Sequence, residues 1–217
     1  MYDWHVLTIG HLSRNKFWAE QENTAYRRPL ATCTLLSGHG ENILVDPSLP
    51  AEAMKAALFD SAGLLPEQIT KVYSTHFHFD HHVSPDAFVN ARWYMAPGDL
   101  IYLRAHWDEY IKMWPMDSRA VMERCLPAPQ ELCEGVRLFA MPGHTEGLCA
   151  LCYDAPEGRV IATGDAVMSK EFYGAGEPYF FGWNREAGEL SIRALRGQYD
   201  VIIPGHGEAF WARAYEK

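Results

Sequence analysis

The sequence predicts an α/β protein in which two β-sheets lie face to face with helices on their outer sides. Three observations carry that expectation: strand-like apolar runs recur in both halves of the chain, helical stripes lie between them, and several strands end in glycine-containing turns. At 217 residues and 48% hydrophobic composition, without a repeat or low-complexity stretch, the chain is expected to form a single domain over residues 1–217.

Strands are expected near residues 4–9, 31–37, 41–46, 70–75 and 91–95, then near 136–140, 148–153, 158–163 and 200–203. Ala51 to Ala62 places Met54, Ala57 and Leu58 on one stripe and stops at Gly63, the pattern of a helix with a glycine end. Asn184 suits the N-cap of another helix, with Ala187, Leu190, Ser191, Ala194 and Leu195 as its packing face. No window is apolar for long enough to cross a bilayer. The start, Met-Tyr-Asp-Trp-His, lacks the basic run and apolar stretch of a leader, so a cytoplasmic protein is expected. Five cysteines is an odd number, and their spacing outlines no disulfide framework, which suits a reducing compartment. Cys149 and Cys152 form a Cys-x-x-Cys inside a strand, where they point to opposite faces and serve core packing rather than redox chemistry.

The most informative segment is Thr75-His76-Phe77-His78-Phe79-Asp80-His81, which follows the short strand ending at Thr75. His76 and His78 are two apart and project to one side of extended backbone, so they can share a metal. Asp80 and His81 come after the chain turns and can reach towards a second ion. Phe77 and Phe79 take the alternate positions and would wedge the loop into an apolar floor. Further candidate ligands follow strands downstream: His144 in Pro-Gly-His-Thr, Asp165 in Gly-Asp-Ala and His206 in Pro-Gly-His-Gly. Imidazole and carboxylate together suit zinc, manganese or iron, and no cysteine takes part. His5, His11, His39 and His106 read as surface or hydrogen-bonded residues. His82, beside the ligand loop, reads as lining the site or orienting a carboxylate.

With its His-x-His-x-Asp-His element and three ordered downstream partners, the chain resembles the metallo-β-lactamase superfamily of metallohydrolases. The resemblance implies a four-layer αββα sandwich with the metal site at one edge of the two sheets. It implies that His76, His78 and His144 hold one metal, that Asp80, His81 and His206 hold the other, and that Asp165 bridges them. Asp46 matches the family's structural aspartate, which braces the metal loop without being a ligand. The cofactor expected is a pair of divalent ions, zinc first, with manganese or iron as alternatives.

Such a pair makes a hydroxide from water at neutral pH, and a dinuclear hydrolase of an ester, lactone or related acyl bond in a small molecule is expected. The metal-bridging hydroxide attacks, and Asp80 is the catalytic residue that orients it or accepts its proton. A net charge of −9, with no basic cluster beyond Arg27-Arg28, argues against a nucleic-acid track and so against a phosphodiesterase or nuclease. The eleven residues after His206 leave no room for the helical substrate domain of glyoxalase-II-like thioesterases. Flavodiiron relatives replace a loop histidine with glutamate, whereas His78 stands. The lactonase-like branch is the most similar, although its tyrosine soon after the bridging aspartate is replaced here by Ala166, Val167 and Met168, and its glycine pair after the metal loop by His82-Val83-Ser84. The alternatives are a mononuclear iron persulfide dioxygenase using His76, His144 and Asp165 and, further off, a metallo-phosphodiesterase or nuclease or a metal-binding scaffold without turnover.

Aromatic-rich segments at 11–30 (Phe17, Trp18, Tyr26), 98–118 (Tyr102, Trp107, Tyr110, Trp114) and 168–183 (Phe172, Tyr173, Tyr179, Phe180, Phe181, Trp183) are expected to wall the pocket or, equally, to form a homodimer contact or plain core. The substrate-binding candidates are Tyr173, the phenol nearest the bridging aspartate, with Phe172, Trp183 and Trp107. Gly174 to Pro178 is read either as a hinge for a lid or as a static surface loop.

Overall fold

The computed structural model describes residues 1–113 and 123–216; Trp114, among the pocket candidates, lies outside them. Among the described residues, two six-stranded sheets face each other. The first runs β1 (Asp3–Thr8), β2 (Cys33–Gly38), β3 (Glu41–Val45), β4 (Lys71–Ser74), β5 (Arg92–Met95) and β6 (Leu126–Pro127) in spatial order, antiparallel as far as β3 and parallel from there on. The second runs in reverse, β12 (Phe210–Trp211), β11 (Val201–Ile203), β10 (Gly158–Ala162), β9 (Cys149–Ala155), β8 (Val136–Ala140) and β7 (Glu131–Cys133), with β10 and β11 the parallel pair.

Two-residue alternation sorts the strand side chains into three apolar layers. Leu36, Ile43, Val45 and Tyr73 of the first sheet meet Leu151, Val160, Ala162 and Ile203 of the second in a central core. Leu35, Leu44, Val72 and Met95 point the other way, against α1 (Ala51–Ala62), α2 (Pro97–Ala105) and α3 (Trp107–Met113). Ala150, Ile161 and Ile202 point outward from the second sheet onto α4 (Lys170–Ala175) and α5 (Arg185–Ala194). The result is the helix, sheet, sheet, helix layering that the sequence predicts. Cys149 faces the central core and Cys152 the outer one, on opposite faces of β9.

α1 has the expected bounds, buries Met54 and Leu58, and ends at Gly63 with φ 66°. α5 is capped as expected: Asn184 Oδ1 accepts from Ala187 N at 3.0 Å. Asn184→Ala should cost about 1 kcal/mol, read from the midpoint of a denaturant unfolding curve. The packing face of α5 differs from the expected one. Gly188, Ser191, Ile192 and Leu195 are buried, whereas Leu190 is 54% exposed. The reason lies in Gly188, whose missing side chain lets the helix sit against Pro178 and so turns it by about one residue. Three strands escape the sequence reading: β6, β7 and β12 are only two or three residues long and owe their form to pairing with a neighbour.

Candidate metal centre

All seven candidate ligands lie in loops at strand ends, and the fold brings them to one edge of the sandwich. β4 leads into His76 and the loop to His81, β8 leads towards His144, β10 leads into the 3₁₀ turn Gly164–Ala166 that carries Asp165, and β11 leads into His206. One ligand atom from each of His76, His78, His144 and Asp165 falls within 4.8 Å of the others, and Asp80, His81 and His206 form a second such group. Asp165 belongs to both by distance. Its Oδ2 lies 3.2 Å from His144 Nε2 and 3.8 Å from His76 Nε2, while its Oδ1 lies 3.2 Å from both His81 Nε2 and His206 Nε2. Asp80 Oδ2 stands 3.8 Å from His206 Nε2. Gly205 is what lets β11 come this close, because a Cβ there would sit 2.2 Å from Asp165 Oδ1.

Hydrogen bonds behind the rings set their orientation. His81 Nδ1 lies 2.9 Å from Asp46 Oδ2, His206 Nδ1 lies 2.8 Å from Leu30 O, and His76 Nδ1 lies 3.1 Å from Thr75 Oγ1. Carboxylate and carbonyl oxygens accept, so His81 and His206 are donors at Nδ1 and, when neutral, present a bare Nε2 lone pair to the centre. Thr75 Oγ1 donates to Asp46 Oδ2 at 2.8 Å, which leaves it to accept from His76 and fixes that ring the same way. Asp46 also accepts from Thr75 N at 2.8 Å, so one buried carboxylate holds the start of the ligand loop and a ring near its end.

The donor set fits a metal. His76 Nε2 and His144 Nε2 approach His78 Nδ1 at 3.0 and 2.9 Å, so three ring nitrogens gather round one point. His81 Nε2 and Asp165 Oδ1 are buried and make no hydrogen bond. A cation between such atoms would offset their desolvation by coordination. The nitrogen and oxygen donors suit zinc, manganese or iron; all five cysteines pack elsewhere, in or against the apolar cores.

The electrostatics separate the two groups. Burial, then the neighbouring His81 and His78 rings, hold His76 well below the ordinary imidazole range; burial and His144 do the same to His78. For His81 and His206 burial pulls downward too, but the carboxylates outweigh it, with Asp165 foremost, and both rings are raised. Burial opposes the charge of Asp165, yet His206, His81 and His144 outweigh it and hold the carboxyl well below its usual range.

A cavity of about 790 Å³ opens at His78 and His144, walled by Phe77, Ile101, Tyr102, His106, Phe181 and Trp183. Tyr102 stacks on Phe77 with centroids 5.0 Å apart, and His106 stacks on Tyr102 at 4.2 Å. Of the four substrate-binding candidates, Trp183 lines this cavity and the other three do not. Tyr173 is fully buried against the second sheet with its hydroxyl donating to Glu216 at 2.8 Å, because α4 turns that ring into the outer core. Phe172 is buried beside Leu12, Met168 and Tyr179. Trp107 packs against the first sheet's helical layer and stacks on Tyr110.

Another reading needs correction as well. His82 neither lines the centre nor orients a carboxylate; its Nε2 lies 3.0 Å from Phe77 O, bracing the ligand loop from behind. His106 is exposed and its Nδ1 lies 2.9 Å from Tyr102 O, in keeping with the surface or hydrogen-bonded reading, and its ring also forms part of the cavity wall. Of the two readings of Gly174 to Pro178, the static loop fits the contacts: Gly176 caps α4, Glu177 N donates to Phe172 O, and Glu177 pairs with Lys16. Sequence reasoning missed Ile101, and it named Tyr179 and Phe181 only as members of the aromatic segment 168–183 expected to wall the pocket. Ile101 and Phe181 wall the cavity, and Tyr179 and Phe181 line the central space beside Asp165 and His206. Only their membership of aromatic-rich or helical segments pointed to them.

A model of the metallo-beta-lactamase superfamily matches residues 27–206. An N-acyl homoserine lactonase from Bacillus sp. is 28% identical over 171 residues, which cover 74% of this chain, and the chain spans 64% of that lactonase's length. Metallo-beta-lactamase domain-containing protein 1 from Xenopus laevis is 30% identical over 215 residues, covering 95% of this chain and 80% of that protein. Among solved structures, AidC, a dizinc quorum-quenching lactonase in complex with a product, matches with a TM-score of 0.65 at 17% identity, over 81% of this chain and 72% of its own; that likeness speaks for the fold. A family model running from before β2 to the last histidine of the centre, over a four-layer fold with the ligands at its edge, makes this chain a member of the metallo-β-lactamase superfamily.

Proposed function

We propose that this chain is a dinuclear metal-dependent hydrolase, folded as one domain over residues 1–217, that opens an ester, lactone or related acyl bond of a small molecule. The observation that carries the reading is the division of Asp165, one oxygen towards each histidine group. His76, His78 and His144 would hold one ion, Asp80, His81 and His206 the other, and Asp165 both, with zinc the favoured metal. Two such ions, when bound, supply a nucleophile from water near neutral pH and polarise the acyl oxygen.

The chain's own residues do the rest. Asp80 lines the small central cavity beside His206 and orients the attacking water there, taking up its proton. The larger cavity receives the apolar part of the substrate and delivers the reacting carbonyl to the His78 and His144 side. The lactonase activity named for the Bacillus relative supports an acyl substrate. No described helix is long and apolar enough to cross a membrane, and the unpaired cysteines support a reducing, cytoplasmic setting.

The test is metal-quantified protein challenged with lactones, thioesters, phosphodiesters and β-lactams. About two zinc ions per chain with turnover of an ester or lactone supports the proposal. A single iron per chain with oxygen uptake on a persulfide would replace it with the mononuclear dioxygenase.

A pH dependence follows from the raised His81 and His206. In the metal-free protein these rings keep their protons to higher pH than free imidazole, so an incoming cation must expel them. Zinc affinity should therefore rise with pH, by about tenfold per pH unit for each proton displaced, in dye-competition titrations between about pH 6 and about pH 8. The contribution of these two rings to the stability of the metal-free fold has the opposite sign. Raised folded-state values stabilise it fully below the ordinary imidazole range, and that contribution is lost as pH climbs through them.

A further inference from the structure

Asp99 lies in the first turn of α2, outside both ligand groups, and is 1% exposed. Its Oδ2 accepts from Phe77 N at 3.1 Å and from Thr145 Oγ1 at 2.8 Å, and its Oδ1 accepts from Gly147 N at 2.8 Å. Phe77 is the residue between His76 and His78, and Thr145 is the residue after His144. One carboxylate oxygen thus joins the two loops that supply the three histidines of the first group. The contact is close: a Cβ on Gly147 would lie 2.3 Å from Asp99 N. Asp46 and Leu30 O orient the second group from the far side, and Asp99 touches neither His81 nor His206.

We infer that Asp99 is a positioning residue which sets the spacing of His76, His78 and His144 and so tunes the affinity of that half of the centre alone; the inference rests on the metallohydrolase reading above. The physical reason is the acceptor count. Three donors converge on Asp99, and only a group that accepts at both ends can satisfy them. An asparagine of the same size must turn its NH₂ either towards Gly147 N–H or towards Phe77 N–H and Thr145, opposing donor to donor. Asp99→Asn therefore loosens the link without emptying volume.

The test compares zinc binding in two backgrounds, His206→Ala, which leaves the first group complete, and His78→Ala, which leaves the second. Asp99→Asn should weaken zinc by about 10- to 100-fold in the first background, the scale seen when a partner behind a metal ligand is removed, and leave the second within about threefold. Thr145→Val removes one of the three donors and should act in the same direction more weakly, with Thr145→Ser restoring parental affinity; these variants serve if Asp99→Asn folds poorly. Equal losses in both backgrounds, or a lowered melting temperature with unchanged zinc affinity in the first, would overturn the inference by making Asp99 a general fold residue. Zinc uptake by neither background nor the parent would overturn the metallohydrolase reading itself, and this inference with it.

Discussion

Asp165→Ala is expected to remove both second-metal occupancy and turnover. Asp165 is the only residue with oxygens directed at both histidine groups among the described residues, and each oxygen faces ring nitrogens at 3.2 Å. Without it the first group keeps three histidines and the second keeps His81, His206 and the more distant Asp80. Zinc content should fall from about two to about one per chain, and turnover by on the order of 10³-fold or more, since the loss exceeds that of a single electrostatic contact to the transition state. Metal analysis and steady-state rates on the same preparation check it. A variant that hydrolyses as well as the parent would show that the centre is elsewhere.

The second large effect is on folding. Asp46 is 2% exposed, has φ 52°, and accepts from Thr75 N, Thr75 Oγ1 and His81 Nδ1. Alanine leaves three buried donors without an acceptor and puts a side chain with no local hydrogen bonding into left-handed backbone. The expected cost is about 3–5 kcal/mol, the range for breaking a buried charged contact. That is a large share of the total stability of an ordinary domain, about 5–15 kcal/mol. Asp46→Asn tolerates the positive φ and keeps one acceptor, so it should lose less. Denaturant midpoints for the metal-free proteins separate this from metal loss; Asp46→Ala with a parental midpoint would count against the brace.

Much of the centre was legible because its residues report themselves twice, by chemical type and by place. Each candidate ligand follows an apolar run and sits in or beside a turn, and coordination chemistry needs imidazole and carboxylate in just such loops. The cavity was far less legible. Tyr173 was the obvious phenol in the sequence, yet a six-residue helix places it between Phe210 and the second sheet. Phe181, eight residues on, lines the centre. Distance along the chain from Asp165 did not distinguish them, because the direction of a ring depends on how α4 and the segment after it pack.

The α5 face shows the same boundary. Apolar spacing favoured Leu190, but the helix approaches the loop before His144 through Gly188, a residue that carries no hydrophobic signal at all. Asp99 is a sharper case: an acidic residue in the first turn of a helix reads as a favourable charge near the helix N-terminus, and only the folded chain shows its carboxylate joining two ligand loops.

By itself the sequence determined the layering and the identity of the converging imidazoles and carboxylates, since both depend on local periodicity and on which side chains bear lone pairs. Tertiary structure alone decided which oxygen of Asp165 faces which group, which rings wall the cavity, and that Asp99 joins Asp46 in bracing the loops. Those features depend on distances between segments far apart in the chain, and packing sets such distances through contacts that no short window of residues contains.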